Sequence, residues 1–303
     1  MAGSLTKKWS KYLKYSRSDK LFIIVVYLIM TICLIITFYP VYYVFVASVS
    51  DNVAANSGEA LLYPKGFHLA GYSRMLQMEK IWIGYMNTII YVVFGTIFGL
   101  TCVIMAGYGL SRKDLPGRNV IMLLMVFTMF FSGGMIPTYI TVRNFGLLNT
   151  RMILILLGSV SVYNIILTRT FFSVNIPNEL REATVIDGCG NFRFFIQFAI
   201  PLSQAIIAVI ALFIAIGHWN AYFNALLYIT DRNKLPLQVI IRELLTSRLT
   251  DFTGDPGFSE ESQLMLQVIR YSVIVISVVP VLCFYPFIQK YFVKGVMIGS
   301  IKG

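Results

Sequence analysis

Charged side chains are scarce in this sequence. Only 13% of the 303 residues are Asp, Glu, Lys or Arg, whereas 57% are hydrophobic. A soluble globular domain carries about a quarter charged residues, and the mean hydropathy here is +0.73. The composition therefore excludes an ordinary soluble domain and indicates a membrane protein with several spans.

Motifs of the common enzyme classes are also missing. No Gly is followed by Lys, so the chain lacks a P-loop of the G-x-x-x-x-G-K-[ST] kind and cannot hydrolyse ATP by that route. It contains no H-E-x-x-H motif and no Ser-His-Asp arrangement. The four cysteines, Cys33, Cys102, Cys189 and Cys283, are far apart and are predicted to be buried free thiols. We expect no catalytic residue, no metal site and no cofactor bound by this chain.

Six apolar segments are long enough, or nearly so, to cross a bilayer as helices, which takes about 20 residues. They cover residues 21–49, 83–110, 119–142, 152–168, 202–230 and 269–289. The third contains Ser132-Gly133-Gly134 and Pro137, so we predict a broken or turned outer end there. The sequence predicts an all-α polytopic membrane protein, with one transmembrane domain over 21–303 after a basic segment, 1–20.

The net charge of +11 is placed at the flanks of the spans. A basic cluster precedes the first span and consists of Lys7, Lys8, Lys11, Lys14, Arg17 and Lys20. Such clusters mark the cytoplasmic side of a membrane protein, and the following apolar run is too long for a cleavable signal peptide. We therefore predict a multi-pass protein of the cytoplasmic membrane with both termini inside, which contacts lipid and not nucleic acid.

Acidic residues are absent from all six predicted spans, since the fourteen Asp and Glu lie outside them. Carriers driven by proton or sodium gradients usually keep an ionisable group within the membrane. Its absence argues that energy reaches this chain from elsewhere. An ion-coupled carrier that uses backbone and hydroxyl oxygens remains an alternative.

The segment 176–200, between the fourth and fifth spans, combines charge with helical periodicity. Leu180, Ala183, Thr184 and Asp187 share one helix face, and Gly188 is a natural stop. Phe192, Phe195, Ile196 and Ala199 repeat the same spacing as an apolar stripe suited to the membrane face. The pattern predicts a helix–turn–helix parallel to the membrane, which another protein can approach closely. An ordinary interfacial loop is the alternative.

The stretch Glu182-Ala-Thr-Val-Ile-Asp187-Gly188, followed by Ala199-Ile-Pro201, resembles the EAA loop of ABC import permeases. In that family the loop forms coupling helices that dock in a cleft of the ATPase subunit. The resemblance implies ATPase docking by Glu179, Glu182, Ala183, Thr184, Asp187 and Gly188. Thr184 and Cys189 stand where alanine is common in the family, which affects the choice of ATPase more than the family assignment.

Two other segments resemble the same family. The end of the chain, Tyr291–Gly303, is similar to the tail of the maltose-type second permease, which implies that Lys302 and Gly303 in the cytoplasmic tail 290–303 also contact the ATPase. Residues 131–139 and 144–150 resemble the subgroup that imports complex oligosaccharides.

Over nearly the whole chain, the resemblance implies one permease of an ATP-driven sugar importer that works by alternating access. Its expected partners are a homologous second permease, two cytoplasmic ATPase subunits that bind ATP and Mg, and an extracellular solute-binding protein that delivers an oligosaccharide or other sugar. Import of a non-sugar solute, or an ion-coupled secondary carrier, remains the alternative.

The fifth span holds the candidates for contact with substrate, Trp219, Asn220, Tyr222 and Asn224, in a stretch similar to the family's Trp-Asn-x-Phe pattern. Aromatic rings and amides suit the apolar faces and hydroxyls of sugars, and Asn220 and Asn224 are expected to face the pathway together, one turn apart. Aromatic residues at the membrane interface and amides bonded between helices are the alternatives.

Three further expectations concern packing and the outer surface. His218 is predicted to be a satisfied interhelical group, and Gly95-Thr-Ile-Phe-Gly99 to mark close helix packing within the chain or against a partner. The polar outer segment 231–268 is expected to meet the solute-binding protein, with a solvated loop as the alternative.

Overall fold

The structure is a computed structural model that describes residues 16–246 and 268–283. These residues form helices and connecting loops, and no strand occurs among them. The all-α prediction is therefore confirmed for the described chain. The helices are α1 (Arg17–Ser48), α2 (Asn52–Asn56), α3 (Ala70–Leu76), α4 (Glu79–Ser111), α5 (Arg118–Phe130), α6 (Met135–Asn144), α7 (Arg151–Leu156), α8 (Val162–Asn175), α9 (Asn178–Ile186), α10 (Asn191–Phe194), α11 (Ile200–Leu202), α12 (Gln204–Trp219), α13 (Phe223–Tyr228), α14 (Leu237–Thr246) and α15 (Val268–Cys283).

Two of these helices, α1 and α4, are long and apolar enough to cross a membrane unaided. Two bent pairs meet the same criteria if each pair is counted as one span. Helices α5 and α6 form the first pair and are bent by 112°, and the second pair, residues 191–202 with α12, is bent by 81°. The break predicted in the third segment is confirmed, because Phe131–Gly134 separate α5 from α6 and Gly134 has φ +86°.

The fourth and fifth segments differ from their predicted form as continuous helices. Within 152–168, helix α7 ends at Leu156 and α8 begins only at Val162, since Gly158 takes φ +84° and turns the chain. Within 202–230, α12 ends at Trp219 and α13 begins at Phe223. Hydropathy detects apolar side chains but not the direction of the backbone, so both breaks were missed. The sixth segment is helical from Val268 to Cys283, and residues 284–289 lie outside the described residues.

The chain divides into two compact units, Met1–Ser73 with Thr253–Val275 and Arg74–Phe252 with Ile276–Gly303. In the first unit, Ala47, Ala55 and Val268 form a small buried cluster, against which Tyr43 and Tyr271 pack edge to face at 6.0 Å. In the second unit, α4 is the central helix and packs against α7, α8, α12 and α14. Helix α4 therefore contacts both α14, which lies in the segment 231–268, and α8, which leads into the segment 176–200.

Candidate functional site

The segment 176–200 begins with α9, which ends in a Schellman motif. The Cys189 N–H donates to the Thr184 carbonyl at 2.9 Å, and the Gly188 N–H donates to the Val185 carbonyl at 3.0 Å. This pattern needs a left-handed residue after the helix, and Gly188 has φ +75°. The stop predicted at Gly188 is confirmed, and it turns the chain into α10.

One face of α9 is held against the protein. Leu180 packs on a cluster that contains Phe172, Ile176 and Phe194. Thr184 is only 7% exposed, and its hydroxyl donates to the Arg181 carbonyl at 2.8 Å. Of the predicted docking residues, Thr184 is thus turned inward. The others that the structure describes are exposed, namely Glu179, Glu182, Ala183, Asp187 and Gly188; Lys302 and Gly303 lie outside the described residues.

The outward face of α9 also carries two apolar side chains that the sequence argument did not include. Ile186 is 87% exposed and Val185 is 52% exposed, although both are β-branched and apolar. An exposed apolar patch rimmed by acids is typical of a protein–protein contact. The sequence could have indicated this patch, because positions 185 and 186 lie outside the helix face that Leu180, Ala183 and Thr184 share.

A salt bridge ties α9 to the loop between α4 and α5. The Arg181 guanidinium lies 2.8 Å from one carboxylate oxygen of Asp114, and Arg112 Nε lies 3.5 Å from the other. Arg169 on α8 donates to the Leu110 carbonyl at 3.3 Å. The end of α4 and the start of the segment 176–200 are therefore linked by side chains, a connection that the spacing of the sequence does not reveal.

The second half of the segment differs from the predicted single apolar stripe. A π-helical turn over Phe195–Ala199 joins α10 to α11 and adds one residue to the turn. As a result Phe194 and Ala199 are buried, whereas Phe192 and Ile196 are exposed. The ring of Tyr108 from α4 lies 4.7 Å from that of Phe195 and 5.5 Å from that of Phe172. This aromatic contact is a second link between α4 and the segment.

The predicted substrate-contact residues are only partly brought together. Asn220 follows the last residue of α12, and its amide donates to the Ile216 carbonyl at 3.0 Å. Asn224 lies on the separate helix α13, so the expectation that both amides share one helix face is wrong. Trp219 Nε1 donates to the Ser277 carbonyl at 3.3 Å. Tyr222 is exposed, and the Arg242 guanidinium lies 5.1 Å from the centre of its ring.

His218 is an interhelical hydrogen-bonding group, as predicted. It is 4% exposed, and its Nε2 lies 2.9 Å from the Ser159 hydroxyl, which also contacts the Ile155 carbonyl. Helix α4 passes this pair at Gly95 and Gly99. A Cβ at Gly95 would overlap the His218 ring, and one at Gly99 would overlap the Ser159 carbonyl. The GxxxG sequence therefore serves packing within this chain.

A polar network anchors the base of the outer segment 231–268. Asn87 on α4 donates to the carbonyls of Asn233 and Leu235 at 2.8 and 3.1 Å. The Asn149 side chain accepts from the backbone N–H groups of Thr230 and Asp231. The backbone N–H of Asn233, with the Lys234 ammonium, holds the pKa of Asp231 below its usual range. Residues 247–267 of the outer segment lie outside the described residues.

Within the described residues, no group of three or more His, Cys, Asp or Glu side chains is arranged to hold a metal ion. The features that the structure brings together are thus an exposed patch on α9, two links from the segment 176–200 to α4 and the loop after it, and a polar network between α4 and the start of the segment 231–268.

Comparison with known proteins identifies the family. No protein-family model matches the chain. The chain is 37% identical over 286 residues to the polygalacturonan/rhamnogalacturonan transport system permease protein YtcP of Bacillus subtilis, covering 94% of this chain and 99% of the relative. It is 38% identical over 269 residues to protein LplC of the same organism, covering 88% and 90%. The diacetylchitobiose uptake system permease protein NgcG of Streptomyces coelicolor is 28% identical over 297 residues, covering 94% and 91%.

A solved structure agrees with these relatives. The chain matches a bacterial ABC transporter involved in the import of the acidic polysaccharide alginate, with a TM-score of 0.82 and 34% identity, over 92% of this chain and 99% of that one. The similarity covers both the sequence and the fold along almost the entire length. The chain therefore belongs to the family of permease subunits of carbohydrate ABC importers, and it is an integral membrane component of such a transporter.

Proposed function

We propose that this permease crosses the cytoplasmic membrane six times, with both termini in the cytoplasm, and forms one half of the pathway of an ATP-driven oligosaccharide importer. The six spans are α1, α4, the pair α5–α6, the pair α7–α8, the pair α12–α13, and α15. Three of them are broken, which is tolerated at membrane depth where protein or water satisfies the exposed backbone groups.

The observation that carries the proposal is the exposed face of α9. It presents Glu182, Asp187 and Ile186 outward, while Arg181 and Leu180 on the opposite side fix the helix to the protein. A docking helix must be exposed on one face and rigidly attached on the other, because it transmits displacement only through its contacts. We assign this face to a cytoplasmic ATPase subunit.

The mechanism is alternating access. ATP and Mg²⁺ bind in two partner ATPase subunits, whose closure moves α9, and the contacts of Tyr108 and Asp114 carry that movement to α4. The spans of this chain and of a homologous second permease then change from an inward-facing to an outward-facing arrangement. The chain itself supplies no ATPase site, and its part is to receive and transmit the motion.

The transported solute is an oligosaccharide delivered by an extracellular solute-binding protein. Of the relatives and the structure compared above, one is named for polygalacturonan, one for diacetylchitobiose and one for alginate. Fragments of acidic polysaccharides are accordingly the first solutes to test. Trp219 and Tyr222 are the aromatic candidates for weak contact with the sugar, since they lie where α12 ends.

The test is uptake by the purified assembly in proteoliposomes, with ATP inside and the binding protein outside. We expect ATP-dependent uptake of one oligosaccharide class by the complex, and no uptake by this chain alone under an ion gradient. The docking role is tested by Glu182→Lys and Gly188→Val, which are expected to abolish uptake while membrane insertion stays normal. Valine at Gly188 must adopt φ +75°, which is costly for a β-branched residue.

Gly190→Val is the matched control. Gly190 has φ −69°, and the space around the added Cβ is as open as at Gly188, so uptake is expected to continue. Normal uptake by the Glu182→Lys and Gly188→Val variants would contradict ATPase docking at α9. Uptake by the isolated chain under an ion gradient would instead establish a secondary carrier.

A further inference from the structure

A small basic cavity lies beside α9. The proposed transport mechanism uses one of its lining residues, Tyr108, and gives no role to its basic side chains. The cavity has a volume of about 160 Å³. We define the basic pocket by the basic and serine residues that line it: Ser111, Arg112, Lys113, Arg118, Arg169 and Ser173. Tyr108 and Asn178 also line it. The end of α4, the following loop, the start of α5 and the last turns of α8 contribute the basic and serine residues, so the pocket forms only in the folded chain.

The charge of the pocket is poorly balanced. Asp114, which follows Lys113 in the chain, pairs with Arg112 at 3.5 Å and with Arg181 at 2.8 Å, and it does not line the pocket. Among residues 16–246 and 268–283, no ion pair with an acid is found for Lys113, Arg118 or Arg169. Three cations therefore converge without a compensating carboxylate.

Two of these cations are held in position by backbone groups. One terminal nitrogen of Arg118 donates to the Arg112 carbonyl at 3.4 Å, and Arg169 Nε donates to the Leu110 carbonyl at 3.3 Å. Each guanidinium has five N–H donors in a fixed plane, so most of them remain for a ligand. Fixed guanidinium groups favour oxyanions that accept two hydrogen bonds, such as phosphate.

The position of the pocket fits a membrane lipid. It begins where α4, a helix of 33 mostly apolar residues, ends at Ser111, which is the depth of lipid head groups. The side chains of Phe172 and Ile176 give it an apolar wall. Helix α5 leads away from it with Val120, Leu123 and Leu124 exposed, a surface along which acyl chains can lie. Basic pockets at the ends of transmembrane helices are typical sites for anionic head groups.

We propose that the basic pocket binds a phosphate group, and that an anionic phospholipid of the surrounding membrane supplies it. The lipid would rest beside the loop that holds Asp114, the residue that fixes α9 through Arg181. The inference goes beyond the transport function, since it requires only that the chain is inserted in a membrane, and it holds whichever solute is carried.

The experiment measures lipid retained by the purified importer from nanodiscs of phosphatidylcholine with or without phosphatidylglycerol, using native mass spectrometry. We expect the Arg118→Gln/Arg169→Gln double variant to retain phosphatidylglycerol roughly thirtyfold more weakly, about 2 kcal/mol at about 1.4 kcal/mol per tenfold. That size follows from about 1 kcal/mol for each basic residue near an anionic surface. Arg143→Gln, which removes one arginine charge from an exposed site on α6, is expected to retain lipid like the unmodified protein.

Further measurements distinguish the two sources of the phosphate group and control for misfolding of the variant. Inorganic phosphate should not occupy the pocket in phosphatidylcholine discs, and it should not displace phosphatidylglycerol from discs that contain this lipid. Occupation by free phosphate without lipid preference would overturn the lipid assignment. Arg118→Lys/Arg169→Lys keeps the charge but not the planar guanidinium groups, so it should retain lipid more strongly than the Gln variant and less strongly than the unmodified protein. Retention no better than in phosphatidylcholine discs would contradict the proposal, even if the Gln variant fails to assemble. If the Gln variant keeps its lipid but loses its ATPase subunits, the pocket binds a protein acid instead.

Discussion

At the scale of single residues, glycine decides where this chain can pack closely. Gly95 and Gly99 allow α4 to pass directly over His218 and Ser159, whose side chains are hydrogen-bonded to each other. In membranes, small residues at helix contacts replace the hydrophobic driving force that operates in water. The same helix contains Gly109, around which no atom lies within 4 Å of an added Cβ.

The pair Gly95 and Gly109 gives a test of this packing within one helix. Gly95→Ala is expected to destabilise the protein by about 1–3 kcal/mol, the usual cost of overpacking, because its methyl group would overlap the His218 ring. Gly109→Ala should be neutral or stabilising by up to about 1 kcal/mol, since alanine favours a helix over glycine. Thermal unfolding of the two variants in detergent measures the difference. Equal midpoints would show that α4 does not pack closely at Gly95.

At the same scale, the sequence predicted the roles of single residues better than the contacts that they make. The role of His218 and the stop at Gly188 followed from residue type and position, and the structure confirms both. The inward orientation of Thr184 was missed, because the face shared by Leu180, Ala183 and Thr184 is continuous in the sequence. Only the packing of Leu180 against Phe172 and Ile176 shows which edge of that face is buried.

At the scale of elements, hydropathy predicts the apolar segments but not the breaks between the helices within them. The break between α5 and α6 was predictable, since Ser132-Gly133-Gly134 interrupts the apolar run. The break after α7 depends on Gly158 alone, and single glycines are common in membrane helices. Gly217 lies in the last turn of α12, but no proline marks the end of this helix at Trp219. Hydrogen bonds of the tertiary structure, such as those of Ser159 and Trp219, fix these joints.

The joint between α4 and α9 leads to a second prediction. Asp114→Asn and Arg181→Gln are each expected to lower uptake per ATP hydrolysed by several-fold, because α9 can then move without displacing the loop after α4. The stability of the protein should change by about 1 kcal/mol at most, the usual range for partly exposed ion pairs. Uptake and ATP hydrolysis, measured together in proteoliposomes, give the coupling ratio.

Exchange of the two charges separates this role from a simple loss of charge. The double variant Asp114→Arg/Arg181→Asp restores the pair with opposite polarity and should recover part of the coupling ratio. Glu59→Gln breaks the exposed pair that Glu59 forms with Lys65 at 3.0 Å, far from α9 in sequence, and should leave the ratio unchanged. A normal ratio in both single variants would show that the salt bridge does not transmit motion.

At the scale of the whole molecule, α4 is the element that connects the two functional ends of its unit. Its 33 residues extend over about 50 Å at 1.5 Å per residue. Near its start, Thr88 accepts a hydrogen bond from the Leu237 N–H at 2.8 Å, and Tyr91 donates to the Lys234 carbonyl at 2.6 Å. Near its end, Tyr108 contacts Phe195. A signal received by the outer segment therefore has a direct structural route to the proposed ATPase contact.

This route predicts the effect of shortening the outer segment. Deletion of residues 246–260 should lower the stimulation of ATP hydrolysis by the solute-binding protein by at least about tenfold. That change corresponds to about 1.4 kcal/mol. Basal hydrolysis and assembly should persist, because the anchor formed by Asn87, Asn149 and Lys234 lies outside the deletion. Hydrolysis is measured in nanodiscs while the binding protein is titrated with and without its sugar.

A glycine–serine segment of the same fifteen-residue length distinguishes contact from mere length. If the outer segment contacts the binding protein through its own side chains, the replacement should fail as the deletion does, since it restores the reach but not the charges of Asp251, Asp255, Glu260 and Arg248. If stimulation returns with the glycine–serine segment, the outer loop acts only as a spacer. Full stimulation of the deletion variant would place the binding-protein contact elsewhere. In that case α4 would carry movement outward from the ATPase contact and would receive no signal from the outer segment.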